Sequence, residues 1–522
     1  MIGINVSVPF KYDRELIKAE ISAIIGKDYD KDVRIIRKEL ISDGDKPYYK
    51  LRVAVSLDEW TEARLLKKLP STTVIESLEL IIKKPTLPNR PIIVGSGPCG
   101  LFAALTLAEA GACPIIVERG AKMEERQKKV ASFNLGGELD EETNIQFGEG
   151  GAGTFSDGKL KHGVMDRYIY KVLSEFVTCG APESILYDVN AHVGTDLLSG
   201  IISKIRNKII SLGSEIMFKT KLTDLIIKDD KIAGVRCLND GKKIELYSDT
   251  VILAIGHSAR DTFKMLDGKG LKTEARGFGI GVRIEHRRKY IDDLIYGRHA
   301  DEIKESASYH FVTHLKNGRS VYSFCMCPGG TVVPATSEKS SVVTNGMSLH
   351  SRDGENSNAA FLVSVTPSDF GGNALLGFEL QEKLEKRAFN ISGDYKAPAV
   401  RMEDFINGKA SVDFGEVLPT YNRGVVFEKA GAFLPDFIEE SLKSAIYDFD
   451  EYKKGFYHPD ALLTGIETRT TSPVKILRDA DHEATSIKGL YPAGEGAGYS
   501  GGIVSSATDG IKTALNILDK YL

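Results

Sequence analysis

The chain has 522 residues, 42% of them hydrophobic and 27% charged, which excludes a largely disordered protein and provides chain for about three or four domains. Its 68 Lys+Arg against 72 Asp+Glu leave a net charge of −4, which argues against a dedicated nucleic-acid binder or a polybasic membrane-surface protein. Glycine is raised, at 51 residues, while proline stands at 18; that pairing points to tight turns against a ligand rather than to flexible linkers.

Residues 1–88 are expected to form a separate small domain. Residues 4–8 alternate as a strand does, and 13–25 carry helical spacing through Leu16, Ile17, Ile21, Ile24 and Ile25. Residues 33–41 and 48–56 read as strands joined by the turn Ser42-Asp43-Gly44-Asp45; 57–69 reads as a helix and 74–82 as a last strand. This β-α-β-β-α-β order is that of a ferredoxin-like α/β plait. Its charge is nearly balanced, 16 Lys/Arg against 14 Asp/Glu through Asn89, which favours a packing or docking domain over an RNA contact. Lys83-Lys84-Pro85-Thr86-Leu87-Pro88 reads as a stiff linker.

Beyond it the pattern becomes that of an α/β protein. Residues 90–94 form a short apolar run, followed by a glycine turn and an apolar helix. Residues 213–256 turn β, with segments 215–218, 222–227, 232–237, 243–247 and 250–255 punctuated by Asp229-Asp230 and Asp240-Gly241. Residues 271–460 are mixed, with strands at 321–327 and 361–365 and a helix at 375–389. Gly277-Phe278-Gly279-Ile280-Gly281 opens a strand-like run and not a helix, so it does not read as a second nucleotide fingerprint.

The strongest local signal is Pro91-Ile92-Ile93-Val94-Gly95-Ser96-Gly97-Pro98-Cys99-Gly100: a buried strand, Gly-x-Gly-x-x-Gly, and a helix at once. Gly95 allows the sharp turn, Gly97 lets the backbone approach a pyrophosphate, and Gly100 lets helix and strand pack closely. The helix start offers free N–H groups and partial positive charge to phosphate. Glu118, 23 residues after Gly95, closes the next strand, where a carboxylate accepts from a ribose hydroxyl and disfavours a 2′-phosphate.

That fingerprint does not by itself separate FAD from NAD; a resemblance does. Glu118-Arg119-Gly120 with Arg126 resembles the corresponding run of glutathione-reductase-like flavoproteins. Val251-Ile252-Leu253-Ala254-Ile255-Gly256 resembles the strand and turn that follow their β-meander. Gly494-Glu495-Gly496 through Gly501-Gly502-Ile503 is similar to their last FAD motif. The resemblance implies a Rossmann-like FAD-binding domain, with Leu222, Ala254 and Gly256 near the nucleotide. It further implies Glu495 on the ribityl or ribose side, and a helix from about Gly502 aimed at the flavin pyrimidine. The loop Gln146-Phe147-Gly148-Glu149-Gly150-Gly151-Ala152-Gly153-Thr154-Phe155-Ser156-Asp157-Gly158-Lys159 would run beside the flavin ring and pyrophosphate. Together with Gly194-Thr195-Asp196 and the runs 147–160, 253–260, 279–285, 323–333, 343–348, 465–474 and 489–510, these segments resemble the bacterial family known as uncharacterised FAD-dependent dehydrogenases. The resemblance implies a plait at 1–88, an FAD domain in two segments (89–270 and 461–522), and an inserted mixed α+β domain at 271–460. It implies FAD and hydride transfer at flavin N5 with a small-molecule substrate. Electrons would come from NAD(P)H visiting without its own Rossmann domain, from a substrate, or from a protein partner. Two other classes stay open: an RNA-modifying flavoprotein and a flavin-binding protein without turnover.

Candidates for the chemistry are few. Cys325 and Cys327 are two apart on an expected strand, so both thiols would face one side; they read as buried structural residues, as a pocket lining, or as a redox pair. Arg469 would hold an anionic substrate or the flavin edge, or else pair with Glu467. His257 and His458 are candidate acids or bases. No His/Cys/Asp/Glu cluster has metal-ligand spacing. Six scattered cysteines and the absence of a signal pattern at the start suggest a reducing, cytoplasmic setting. The uncharged stretch from Pro91 to Ala108 nears membrane-span length but is broken by its glycines.

Overall fold

The computed structural model describes residues 1–42 and 46–522, so Asp43 to Asp45 of the expected turn lie outside the described residues. The first unit is an antiparallel sheet in the order Arg34–Ile41, Tyr48–Val55, Ile2–Pro9, Thr73–Val74. Two helices, Arg14–Ile25 and Glu59–Lys68, cover one face. Each starts at an aspartate, Asp13 or Asp58, whose carboxylate accepts from the third residue on, satisfying an otherwise orphaned N–H. Ile17, Ile21, Ile25 and Leu65 bury against Ile4, Val6 and Val53. The strand expected over 74–82 is only Thr73–Val74. After it, Leu80, Ile82 and Leu87 pack against the core of the next unit instead of extending the sheet.

That next unit is built on a parallel sheet in the order Leu490–Pro492, Val251–Leu253, Ile92–Val94, Ile115–Val117, Glu215–Met217. Two distant stretches of chain thus supply one sheet. Its four inner strands are short and apolar, as a sheet covered on both faces requires, and only the edge strand carries a charge, at the exposed Glu215. Residues 215–217, expected to open the β-meander, are the edge strand here, and the meander begins at Thr220–Lys228. The fingerprint helix Pro98–Glu109 is almost wholly buried against the C-terminal helix Ile503–Asp519. A Cβ on Gly510 would collide with Cys99 O, so glycine sets that close approach.

The third unit centres on a seven-stranded mixed sheet: Val312–His314, Ser320–Cys327, Asn356–Val365, Phe278–Arg287, Leu462–Glu467, Ala397–Arg401, Val425–Phe427. Helices Leu376–Ser392 and Asp436–Tyr452 complete its core. Leu462–Glu467, fully buried, carries this sheet past the expected boundary at 460. Residues 277–281 enter the central strand with no helix behind them. Gly281 is there because a Cβ would collide with Phe361 O on the neighbouring strand. The chain enters and leaves this unit side by side, through the antiparallel pair Thr273–Ala275 and Val474–Ile476.

The N-terminal unit touches both others. Lys38 exchanges backbone hydrogen bonds with Tyr187 and Val189 (2.7 and 3.0 Å), while Lys38 and Tyr49 side chains meet Glu305. Among the described residues no helix is long and apolar enough to cross a membrane.

Candidate functional site

A cleft opens at the carboxyl ends of the parallel strands and is closed by the seven-stranded sheet. Ligands of open α/β sheets occupy this crevice. Of the residues expected around a cofactor, Gly95, Gly97, Pro98, Cys99, Glu118, Arg119, Gly151, Ala152, Gly153, Ser156 and Asp157 line it. So do Leu222, Ala254, Gly256, Glu495, Gly501, Gly502 and Ile503. Ser96, Gly100, Arg126, Gly150, Thr154 and Gly494 do not; they build the wall from behind.

The glycines divide by role. A Cβ at Gly95 would collide with Ala254 O, and one at Gly100 with Gly95 O, so the protein's own backbone fills those spaces. At Gly97 the nearest atom to a Cβ is Gly151 Cα, 3.7 Å away. Gly97 and Gly151 therefore approach each other closely in the cleft wall, where a Cβ on Gly151 would lie 3.0 Å from Gly97 Cα. Gly97 caps the fingerprint helix and Gly502 the C-terminal helix, and neither helix start has a side-chain cap. Both sets of N–H groups are left to a ligand.

Glu118 is 5% exposed and already fully engaged. Oε2 accepts from Ser96 N and Oγ (2.9 and 2.8 Å), and Oε1 from Gly120 N and Gly148 N (2.9 and 3.0 Å). That occupies the four acceptor directions of a carboxylate. Arg119 stacks on Phe147 (4.0 Å to the ring centre), forks onto Asp261 at 2.9 and 3.1 Å, and reaches Glu142 at 2.7 Å.

Arg126 departs from its expected role as a cofactor contact. Its guanidinium is wholly buried and donates to the carbonyls of Asn144 (2.9 Å), Ile145 (2.8 Å), Gly148 (3.3 Å), Glu149 (2.5 Å) and Gly151 (2.9 Å). It shapes the glycine loop from inside. Burial without a contacting carboxylate pulls its pKa down to about 10. Further along the loop, Asp157 forms a two-pronged pair with Arg352 and accepts from Ser348, clamping the third unit onto the second.

His257 lies in the cleft with Nδ1 3.8 Å from Glu495 Oε1, and its buried Nε2 has no hydrogen-bond partner among the described residues. Burial, then the charges of Arg469 and Arg260, pull its pKa down to about 4, so the imidazole is neutral at pH 7. Burial pushes the Glu495 carboxyl up to about 7, with Arg276 pulling the other way. His458 sits away from the cleft, edge-on to Tyr290 at 4.6 Å.

Arg469 lines the cleft, but its guanidinium is committed to Glu385 (3.1 and 2.8 Å) and Ser337 (2.5 Å), not to Glu467. Glu385 also takes Arg260 (2.9 and 2.7 Å) and Thr468 (2.7 Å). Glu467 instead pairs with the buried Arg283 at 2.6 Å. Cys325 and Cys327 both line the cleft as free thiols. A bulge between Phe324 and Cys327, with Cys325 at φ +44°, breaks the alternation that would have set the two on one side. Burial pushes the Cys327 thiol up, which leaves it a poor nucleophile at neutral pH.

Gln146 and Lys159, the ends of the expected glycine-loop segment, line the cleft, as do Glu467, expected only as a partner for Arg469, and Lys221 and Asn345, which sequence reasoning did not single out. Lys221 and Asn345 carry no local signal.

An open parallel sheet with a glycine fingerprint at its strand ends, roofed by a second domain, defines a dinucleotide-binding α/β protein. Residues 277–470 match the model of a family described as FAD-dependent protein, C-terminal domain-like. A protein of Clostridium beijerinckii described as uncharacterized is 47% identical over 436 residues, covering 83% of this chain and 81% of its own. The chain belongs to this family of FAD-dependent proteins.

Among solved structures, E. coli quinol fumarate reductase FrdA matches 83% of this chain and 70% of its own at 12% identity, with a TM-score of 0.38. The glycerol-3-phosphate dehydrogenase from Bacillus halodurans, complexed with FAD, matches 83% and 64% at 12% identity and a TM-score of 0.35. At these scores the likeness carries nothing about function.

Proposed function

We propose that the protein is an FAD-dependent oxidoreductase that exchanges hydride between flavin N5 and a small molecule held beneath the seven-stranded sheet. One observation carries this reading: a single cleft joins the fingerprint turn, the glycine loop, the turn after Leu253 and the start of the C-terminal helix to Phe324, Cys325 and Asn345 of the third unit. The residues present fit FAD. Two uncapped helix starts and the closely approaching glycines Gly97 and Gly151 suit a pyrophosphate, and the orphaned His257 Nε2 awaits a polar partner.

Bound FAD supplies a flavin able to accept or give a hydride. The chain's residues would do the rest. The N–H groups after Gly97 bind the diphosphate. Glu118 meets a ribose hydroxyl in place of the Ser96 Oγ–H it now holds. The C-terminal helix start stabilises negative charge on the pyrimidine side. The third unit excludes water and holds the substrate. With no second nucleotide fingerprint, NADH or NADPH would reach the flavin directly as a transient reductant.

The test is to add FAD to the purified full chain and follow its visible bands through anaerobic titration with NADH, NADPH and dithionite. Flavin bands that bleach are expected. No bands after FAD addition would overturn the proposal, and bleaching by dithionite alone would remove the nicotinamide step.

A further inference from the structure

Apart from Glu118 and Glu495, the charged groups lining the cleft nearly all cancel within the protein. Arg119 and Lys221 are paired with Glu142 and Asp261. Asp157 is paired with Arg352, Glu467 with Arg283, and Arg469 with Glu385. Glu118 is saturated by four donors. Lys159 is different. Its backbone is fixed by a bridge to His192, it lines the cleft half-buried, and among the described residues its ammonium has no hydrogen bond and no ion pair.

A second donor lines the same cleft. Asn345 Oδ1 accepts from Arg283 Nη2 (2.5 Å) and from Gly346 N (2.7 Å). Those two donors fix which end of the amide is oxygen. The Nδ2 end, with two N–H groups, has no partner among the described residues, and Asn345 lines the cleft. The nearby carbonyl of Cys325 is taken by Arg283 at 2.9 Å. Here the ammonium and the amide N–H groups are unspent donors, while the neighbouring carboxylates Asp157 and Glu467 are paired with Arg352 and Arg283.

Next along the chain, Lys161 feels this charge: burial and then Lys159 hold its pKa down. An ammonium held in such a wall is costly unless a polar or charged group meets it.

We propose that this end of the cleft is a receptor for a small organic anion, with Lys159 and Asn345 Nδ2 binding its carboxylate. The inference rests on the flavin reading above and deepens it by naming the substrate class. The sequence reading gave the anion role to Arg469; Glu385 already neutralises that guanidinium, so the role passes to Lys159.

The test uses the FAD-loaded full chain. FAD content is measured first in wild type, Lys159→Gln and Lys159→Arg; a wild-type chain that takes up no FAD overturns the flavin reading and this inference with it. Benzoate, succinate and inorganic phosphate are then titrated while the visible flavin band is followed, with benzamide as the neutral control. At least one carboxylate should shift the band saturably, benzamide should not, and the affinity should fall as ionic strength rises. Lys159→Gln should weaken the anion at least tenfold at equal FAD content, and Lys159→Arg should largely retain it. No saturable shift with any of the three anions, or equal affinity in Lys159→Gln, would overturn the proposal. So would a Lys159→Gln variant whose flavin potential falls while its anion affinity stays the same, because the charge would then serve the flavin itself.

Discussion

Replacing Glu385 with glutamine should loosen the third unit from the second, which carries the parallel sheet. The carboxylate is completely buried and accepts from Arg260, Arg469 and Thr468. Arg260 belongs to the helix Arg260–Gly268 of the nucleotide unit, Glu385 to the helix Leu376–Ser392, and Arg469 to the stretch after Leu462–Glu467. Without Glu385, the two guanidiniums would share one partly exposed carboxylate, Glu338, which lies 2.7 Å from Arg260 and 3.9 Å from Arg469. Removing one member of such a buried cluster costs about 3–5 kcal/mol. At a slope of about 3 kcal/mol per molar urea, the first unfolding midpoint should drop by about 1–2 M.

Circular dichroism through a urea series measures that midpoint. Asp293→Asn, which breaks the exposed pair with Lys289, serves as a control that should not move it measurably. The pH dependence gives a second reading. Burial alone would raise the Glu385 pKa, but Arg260 and Arg469 overcome it and hold the carboxyl at about 2, below its ordinary 4.5. A depressed folded-state pKa gives stability that is full above 4.5 and fades as the pH falls toward 2. The gap between wild type and Glu385→Gln should narrow over that window. A midpoint within about 0.3 M of wild type at pH 7, roughly 1 kcal/mol on the same slope, would refute the reasoning.

The cofactor wall supplies further predictions. Gly97→Val should cut FAD affinity at least tenfold while leaving the apo-protein's unfolding midpoint in place, because the new Cβ has no protein atom nearer than 3.7 Å. Gly100→Ala should do the reverse first, destabilising the fold by about 1–3 kcal/mol through overlap with Gly95 O; equal behaviour of the two variants in FAD titration and circular dichroism would contradict this division of roles. Glu495 is held up at about 7 against an ordinary 4.5, chiefly by burial. Its ionisation therefore costs stability as the pH rises from 4.5 through 7, and Glu495→Gln should flatten that part of the apo-protein's stability profile; an unchanged slope would place the titration elsewhere. Dithionite should deliver one electron pair per FAD-loaded chain, and uptake of a second pair would restore the redox reading of Cys325 and Cys327.

The parts of this molecule legible from sequence are those encoded over short distances. The turn at Gly95, the approach at Gly97 and the acid at Glu118 follow from spacing within one strand-turn-helix-strand unit. Three glycine runs, 95–100, 148–158 and 494–502, hold thirteen of the 51 glycines, and all three converge on the cleft. What stayed hidden depends on neighbours far along the chain. Arg469 sits two residues from Glu467 yet chooses Glu385, on a helix that folding brings alongside. Arg126 is implied as a cofactor contact by resemblance, but the loop folds around it and engages all three of its guanidinium nitrogens. The bulge at Cys325 overrides strand alternation, because one strand carries an extra residue against its partner. Lys159 is informative only because carboxylates neutralise the other cations of the cleft, which no local pattern reveals.

The proposed chemistry depends on FAD bound in this cleft. Titrating the full-length apo-protein with FAD, followed by flavin absorbance and by FAD retained after gel filtration, should saturate at one FAD per chain and should be lost in Gly97→Val. No retained FAD, or retention undiminished by Gly97→Val, would contradict the assignment of this cleft.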